Sequence, residues 1–395
     1  MNRPITPAVA GEGPARPSPA RIFSPAFLRL CAVALGGTAS VQLLSAGLPL
    51  YVLDLGADEV VLGAMVGLIA LTSLAARPWV GWWVDRGGGA WALLVGVGLY
   101  ATAALGYWLA ASVPGVLAFR ALTGLAIAVF ITSGQSLAVA LAPPRQRGEA
   151  FGFYSVSLTL AQVLGPPAGV ALARRSGYAW LFAASAAVAL LAAALAWPMR
   201  ALRRGPEGPG RRYTLHRALM GPGLLMLLMM VPFGANVGLL PAHAARRGLE
   251  NPGLVFTAHA LGILLAQVTS GRISDRVGRI PVILPGLVLG MLGMWTTALA
   301  DGWMLVLAAG LSGLALGIGS PALYALAADL IPPREQGSAM ATMGIFLEIG
   351  IAFGAIGGGF AGRMLGLPAM FGLAGVAPAC GAALAAALAV RRHRT

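Results

Sequence analysis

Long apolar runs separated by short polar turns fill most of the chain after residue 25. Twelve runs are each close to the roughly 20 residues that a helix needs to cross a bilayer. They cover residues 26–53, 59–83, 91–111, 114–141, 147–173, 178–198, 216–245, 252–274, 280–300, 303–330, 335–362 and 368–390. Backbone polar groups in lipid must bond within their own segment, so each run is predicted to be a helix. The pattern predicts an all-α polytopic membrane protein with twelve transmembrane helices.

One long polar stretch divides the runs into two sets of six. Residues 199–214 hold arginine, proline and glycine and are predicted to be a linker. Six-helix bundles are expected on either side, over residues 26–198 and 215–390. Residues 1–25, rich in proline and alanine, are predicted to be a disordered tail, and residues 391–395 a short second tail.

Composition and charge support this interpretation. Hydrophobic residues make up 58% of the chain, charged residues 10%, and the mean hydropathy is +0.81. A soluble domain carries about 25% charged residues. The net charge of +14 comes from arginine alone, and 21 of the 27 basic residues lie in the tails, the linker and the turns after even-numbered segments. The positive-inside rule therefore predicts that both termini are cytoplasmic, and no nucleic-acid partner is expected.

The sequence offers little support for an enzyme. Cys31 and Cys380 lie far apart in apolar runs, so neither a disulfide nor a metal site is predicted. No Ser/His/Asp set and no phosphate-binding glycine loop is present, which argues against catalysis and against an ATP-driven pump. No cofactor is expected. A membrane-bound enzyme or a lipid-moving protein is the alternative class.

Internal repeats indicate that the two halves are similar. G-W-W-V-D-R-G-G-G-A, at 81–90, returns 190 positions later as G-R-I-S-D-R-V-G-R-I at 271–280. A-P-P-R-Q-R-G-E-A, at 142–150, corresponds to I-P-P-R-E-Q-G-S-A at 331–339, an offset of 189. Parallel repeats of this kind are typical of one class of secondary transporter.

These repeats resemble the major facilitator superfamily, whose loop signature is close to G-x-x-x-D-R-x-G-R-R. The matching residues are Gly81, Asp85, Arg86 and Gly88 in the first copy, and Gly271, Asp275, Arg276, Gly278 and Arg279 in the second. Gly89 and Ala90 depart from the signature, where basic residues are usual. The resemblance implies a two-bundle fold with a cytoplasmic gate, in which the Asp85 carboxylate lies near the N-terminus of segment 11. The alternative is an ordinary turn that only sets topology.

Segment 5 resembles the antiporter motif of the drug:proton branch of that superfamily. Gly152, Gly165, Pro166 and Gly169 fit the motif, while Ala161 and Val170 replace two of its glycines. Small residues allow close helix contact, and proline bends a helix. The resemblance implies export, and a kinked packing helix is the alternative.

Two charges inside the predicted spans are candidates for proton coupling or cation binding. Glu348 lies about 13 residues into segment 11, near the midplane where such proteins bind cargo. Arg120 lies in segment 4 with Gly124 four residues later, as in the superfamily's pattern. Intramembrane charges are expensive and commonly functional. The alternatives are a hydrogen-bonded structural acid and an arginine that reaches the interface.

Further polar residues within the spans are candidates for lining a cavity. They are Gln42, Asn236, Gln267, His243 and His259. Asp329, at the end of segment 10, is expected to pair with a loop arginine.

The predicted function is proton-coupled efflux, by antiport, of small hydrophobic or amphipathic compounds through alternating access. The alternative is proton-coupled uptake of a sugar or other small metabolite. The expected location is a bacterial inner membrane, and the two-half design makes a monomer sufficient.

Overall fold

A computed structural model describes residues 23–142, 147–201, 217–331 and 336–393. Helices account for nearly all of these residues, and no strand occurs among them, so the all-α fold class is confirmed. The α-helices are α1 (Pro25–Asp54), α2 (Glu59–Trp83), α3 (Gly89–Leu109), α4 (Val113–Leu141), α5 (Arg147–Ser176), α6 (Tyr178–Ala196), α7 (Met220–Arg246), α8 (Leu254–Val277), α9 (Ile280–Leu299), α10 (Trp303–Leu330), α11 (Gln336–Leu365), α12 (Leu367–Ala374) and α13 (Val376–His393).

The predicted spans correspond to these helices in order, with segment 12 covering both α12 and α13. Eleven stretches of the described chain are long and apolar enough to cross a membrane, and α8 contributes the shorter apolar stretch Leu254–Gln267. The predicted linker lies mostly outside the described residues, and its first residues extend α6 as a short 3-10 turn, Trp197–Ala201. Segment 12 is present as one apolar span, Leu367–Leu388, which is divided into α12 and α13.

The break between α12 and α13 has a local cause. Pro378 carries no backbone N–H, so the carbonyl of residue 374 loses its helical donor. Nearby, the Trp295 indole N–H donates to the Gly372 carbonyl at 3.2 Å. A side chain that bonds to the ladder and a missing amide are both known causes of helix kinks.

Capping side chains and glycines fix where several helices begin and end. The hydroxyl of Ser24 accepts a hydrogen bond from the Phe27 amide at the start of α1. Asp58 Oδ1 accepts from the Val61 amide at the start of α2. These oxygens satisfy amides that have no partner in the first turn. Gly278 ends α8 with φ at +95°, a conformation that other residues rarely adopt.

The helices form an N-terminal half, α1–α6, and a C-terminal half, α7–α13, which meet along four interfaces. Helix α2 packs on α11 and α7, α5 packs on α8, and α1 packs on α7. We call the face where α1 begins, and where the α2–α3 and α8–α9 turns lie, the terminal face. The other side, where α1 ends and α2 begins, is the opposite face.

Direct contacts close the opposite face between the halves. Arg246 donates to Glu59 Oε1 at 2.6 Å, and Arg363 lies 3.1 Å from Asp58 Oδ2. Gly63 lies so close to α11 that a methyl group there would collide with the Ala355 carbonyl. By contrast, within the described ranges, α4 and α5 form no extended interface with α10 or α11 near the terminal face. Among the described residues, the space between the halves is therefore less closed toward the terminal face than toward the opposite face.

Candidate functional site

A cavity of about 320 Å³ lies between the two halves. Apolar side chains from both halves line much of it, including Leu62, Met65, Phe233 and Phe256. The polar lining residues are Thr38, Gln42, Ser45, Ser73, Tyr100, Arg120, Gln162, His259 and Glu348. A mostly apolar cavity with a few convergent polar groups is the usual form of a small-molecule site.

An ion pair across the halves borders this cavity. Glu348 on α11 is buried, and its Oε1 accepts a hydrogen bond from Arg77 Nη2 on α2 at 2.5 Å. Ser73 Oγ lies 3.5 Å from the same oxygen. The side chain of Arg77 is 38% exposed and that of Glu348 is 8% exposed. One carboxylate oxygen therefore joins the two halves near the middle of the molecule.

Helical spacing explains how these groups come together. Ser73 and Arg77 are four residues apart, so they share one face of α2. On α11, Gly344 lies one turn before Glu348, and its missing side chain leaves room beside Arg77 Nη1. Arg77 is one of the 21 basic residues assigned above to the tails, the linker and the turns, and for Arg77 that assignment is wrong, because it lies within α2. Its position six residues inside the predicted segment 59–83 was the signal that could have revealed it.

Arg120 lies elsewhere on the cavity wall. It is buried on α4 with a relative exposure of 5%, and its guanidinium stands 5.8 Å from the centre of the Tyr107 ring. The Tyr107 hydroxyl in turn shares a hydrogen bond of 2.6 Å with Thr123. Arg120 Nε has no hydrogen-bond partner. Arg120 therefore faces the cavity as a buried cation rather than reaching out to the membrane surface.

Only some of the other residues predicted to line a cavity do so. Gln42 and His259 line the central cavity, and His259 and Asn236 also line a small adjoining cavity of about 20 Å³. That smaller space suits a single water. His243 lies apart, buried with Nε2 3.2 Å from the Thr297 carbonyl oxygen. Gln267 is exposed on α8 and lines neither cavity.

The glycines of the segment 5 motif have different surroundings. Gly165 and Gly169 lie directly against the α1 backbone at residues 42 and 43, where a methyl group would collide. A methyl group at Gly152 would meet no atom within 4 Å. Of the motif glycines, Gly165 and Gly169 therefore allow close approach of α5 to α1, whereas Gly152 does not.

The prolines of the same motif connect α5 to the other half. Pro167 has no N–H, so the Val163 carbonyl four residues earlier lacks its helical donor. Thr257 Oγ1 on α8 donates to that carbonyl at 2.6 Å. Just before α8, Asn251 Nδ2 donates to the Pro167 carbonyl at 3.1 Å. The carbonyl left unpaired by proline is thus used for contact between the halves at the opposite face.

The residues of the predicted gate lie where α2 meets α3 and where α8 meets α9. The Arg86 guanidinium stacks 3.9 Å from the centre of the Trp82 ring, and Gly81 lies at the end of α2. In the second copy, Gly271 and Arg276 lie on α8, which Gly278 ends. Gly88 is crowded by the Trp83 ring, which disfavours a larger residue. The side chains of Asp85 and Asp275 lie outside the described part of the chain, as does the predicted Asp85 contact.

The ion pair predicted for Asp329 is present at the terminal face. Arg279 Nε donates to Asp329 Oδ2 at 2.8 Å, joining the start of α9 to the end of α10. This prediction is confirmed, and Arg279 has an interaction within its own half.

Two helical halves around a shared cavity define a multi-pass membrane transporter. The sequence profile of the Major Facilitator Superfamily matches residues 30–251 and 223–395. The chain belongs to this superfamily.

Individual relatives agree with this assignment. An uncharacterised MFS-type transporter of Methanocaldococcus jannaschii is 25% identical over 338 residues, covering 82% of this chain and 87% of the relative. The staphylopine export protein of Staphylococcus aureus is 22% identical, over 61% of this chain and 64% of its own length.

A solved structure shares the fold. It is a bacterial homologue of the human lysosomal transporter Spinster, in an inward-facing and occupied conformation. The TM-score is 0.76 at 18% identity, covering 92% of this chain and 96% of that structure.

Proposed function

We propose that this protein exports small hydrophobic or amphipathic compounds in exchange for protons. The observation that carries the proposal is the Arg77–Glu348 ion pair, which joins the halves beside the cavity. A transporter of alternating access must link occupancy of a site to the position of its halves. A carboxylate bonded across the halves provides that link directly.

Glu348 is the proposed proton carrier. A proton and Arg77 compete for the same carboxylate oxygen, because protonation removes the charge that holds the guanidinium. Loss of the bond weakens the contact between α2 and α11 in the inner part of the cavity. The halves can then rock about their contacts, exposing the cavity to the other side. Proton binding on one side and release on the other thereby drive the cycle.

The direction of transport is proposed from three observations. Arginine placement assigns the terminal face to the cytoplasm, so the cavity of this conformation is less closed on the side where an exporter loads its cargo. The α5 motif resembles that of drug:proton antiporters and contributes contacts between the halves. The staphylopine relative is named an export protein. The proposed location is a bacterial inner membrane, with residues 26–198 and 215–390 as the two moving units and Asp85 as part of a cytoplasmic gate.

The test uses purified protein in sealed vesicles with an imposed pH gradient. A panel of fluorescent amphipathic dyes, cationic, neutral and anionic, is followed in parallel with radiolabelled sugars and amino acids. We expect at least one dye to move against the proton flow, and no such movement with Glu348→Gln. Arg200→Gln is the control, because this half-buried residue stacks on Trp197 and does not line the cavity.

Two outcomes would contradict the proposal in different ways. Dye movement that is unchanged in Glu348→Gln would assign the coupling proton to another group. If no dye moves while a sugar or amino acid enters together with protons, the protein is an uptake system.

A further inference from the structure

We infer that Arg120 binds an anionic group of the cargo, so that the preferred cargo is an amphipathic organic anion. This inference rests on the proposed function, because it takes the central cavity as the transport site. It assigns to Arg120 a role different from the proton coupling for which the sequence made it a candidate.

The charges of the cavity lining carry the argument. Two fixed charges line the cavity among the described residues, Arg120 and Glu348. Glu348 is already bonded to Arg77, whereas no described carboxylate forms a salt bridge with Arg120. The lining therefore carries a positive charge without a counterion. A buried cation left without a counterion is strongly unfavourable, so an anion that enters the cavity gains most by binding there.

Unused hydrogen-bond donors in the cavity lining also favour binding of an anion. Arg120 is 95% buried, and although the neutral Tyr107 hydroxyl interacts with its guanidinium, its Nε has no acceptor. Thr38 Oγ1 lines the same cavity and is also without a hydrogen-bond partner. The guanidinium can donate from Nε, and a carboxylate accepts such a donor. An unused donor on a buried cation that lines the cavity is a site for an oxyanion.

His259 completes the polar lining from the C-terminal half without competing for the anion. Its Nδ1 lies 3.3 Å from the Ala309 carbonyl oxygen, which can only accept, so Nδ1 carries the proton. The other nitrogen, Nε2, is buried and has no partner. In this tautomer Nε2 is an acceptor and does not bind an oxyanion. The anion is therefore expected on the Arg120 side of the cavity.

The rest of the cavity suits an apolar body. Leu62, Met65, Phe233 and Phe256 line it, and its volume of about 320 Å³ is at the small end of the range for organic ligands. A one- or two-ring carboxylate fits both the volume and the charge.

The test compares three probes of the same shape. These are 2-naphthoate, the neutral 2-naphthamide and the cation 2-naphthylmethylamine, titrated into purified protein in nanodiscs and followed by calorimetry. We expect 2-naphthoate to bind about tenfold or more tightly than 2-naphthamide, because hydrogen bonds to a charged group are the stronger ones. Arg120→Gln should reduce this ratio to about one while 2-naphthamide still binds.

Two further variants distinguish loss of the anion site from misfolding of the protein. Arg120→Lys keeps a cation at this position, so it should retain a preference for 2-naphthoate over 2-naphthamide. Arg200→Gln should behave as wild type. Equal binding of naphthoate and naphthamide to wild type, or an unchanged ratio in Arg120→Gln, would overturn the inference.

Transport of the same probes separates the two proposals. If only the amine or the amide binds and is exported against protons, the proposed function stands and the anion inference is wrong. If naphthoate binds through Arg120 but crosses without any proton exchange, the inference stands and proton-coupled export is wrong.

Discussion

Arg77 and Glu348 contribute unequally to the ion pair, because one is half-buried and the other almost fully buried. The exposed fraction is 38% for the Arg77 side chain and 8% for Glu348. Removing a partner is costly mainly when it leaves a buried charge unpaired. The two single substitutions should therefore differ, although they break the same bond.

Arg77→Gln leaves the Glu348 carboxylate buried and unpaired, so we expect a loss of about 1–3 kcal/mol in stability. Glu348→Gln leaves a half-buried arginine that still has an amide oxygen to bond, so we expect a smaller loss, about 1 kcal/mol. Thermal unfolding in detergent measures the stability loss of each variant. The double variant should be more stable than Arg77→Gln alone, since it removes the unpaired charge. Equal losses for the two single variants would contradict this account of the pair.

At the scale of single residues, the sequence could predict which charged side chains lie within the membrane spans, but not the residues with which they pair. Glu348 was a candidate because it is a carboxylate far inside an apolar run, which is expensive without a function. Arg77 lies near the end of its run, where arginine commonly marks the cytoplasmic side. Only the packing of α2 against α11 shows that the two side chains meet. Arg120 was a candidate from its position, but its lack of a carboxylate partner could not be read from sequence.

Among the helices, α5 has packing contacts with both halves. Gly165 and Gly169 bring it close to α1, while the carbonyls of Val163 and Pro167 accept hydrogen bonds from Thr257 and Asn251. The sequence motif predicted close packing and a bend. It could not show which α5 carbonyl meets which donor, because that depends on how the halves are oriented.

Two glycines of the same motif provide a matched pair of substitutions. A methyl group at Gly169 would collide with the Leu43 carbonyl, which belongs to the backbone and cannot rotate away. We expect Gly169→Ala to lower stability by about 1–3 kcal/mol, the usual cost of overpacking.

Gly152→Ala is the control, because its methyl group enters open space. Alanine is also the better helix former by roughly 0.5–1 kcal/mol, so this variant should match or exceed wild type. Thermal unfolding midpoints and the yield of folded protein measure both changes. A stable Gly169→Ala protein would mean that α1 and α5 are further apart than described.

On the scale of the whole molecule, the conformation is defined by contacts at one face. Ion pairs and close helix packing join the halves at the opposite face, and the described residues leave the central cavity less closed toward the terminal face. The number of helices, their order and the similarity of the halves were predictable from hydropathy and repeats. The conformation was not, because the same sequence must adopt both arrangements during transport.

Removing the ion pairs of the opposite face should shift the balance between conformations. Arg246 and Arg363 are mostly exposed, so each pair contributes only about 0.5–1 kcal/mol. Together, Arg246→Gln and Arg363→Gln should raise the population that is open on this face roughly 5–30-fold.

Spin labels at Ala111 and Glu250, exposed positions in different halves on this face, report the change as a longer distance. The native Cys31 and Cys380 are replaced by alanine in this experiment. Arg200→Gln should leave the distance distribution unchanged. An unchanged distribution in the double variant would show that helix packing alone holds the face closed.

The most direct test of the central claim runs the exchange in reverse. Vesicles are loaded with a dye that the protein moves, no pH gradient is imposed, and internal pH is followed with a trapped indicator. An exchanger coupled through Glu348 must then move protons inward as the dye leaves. We predict this proton movement in wild type and its absence in Glu348→Gln. Dye efflux without proton movement in wild type, or equal proton movement in both proteins, would contradict the account.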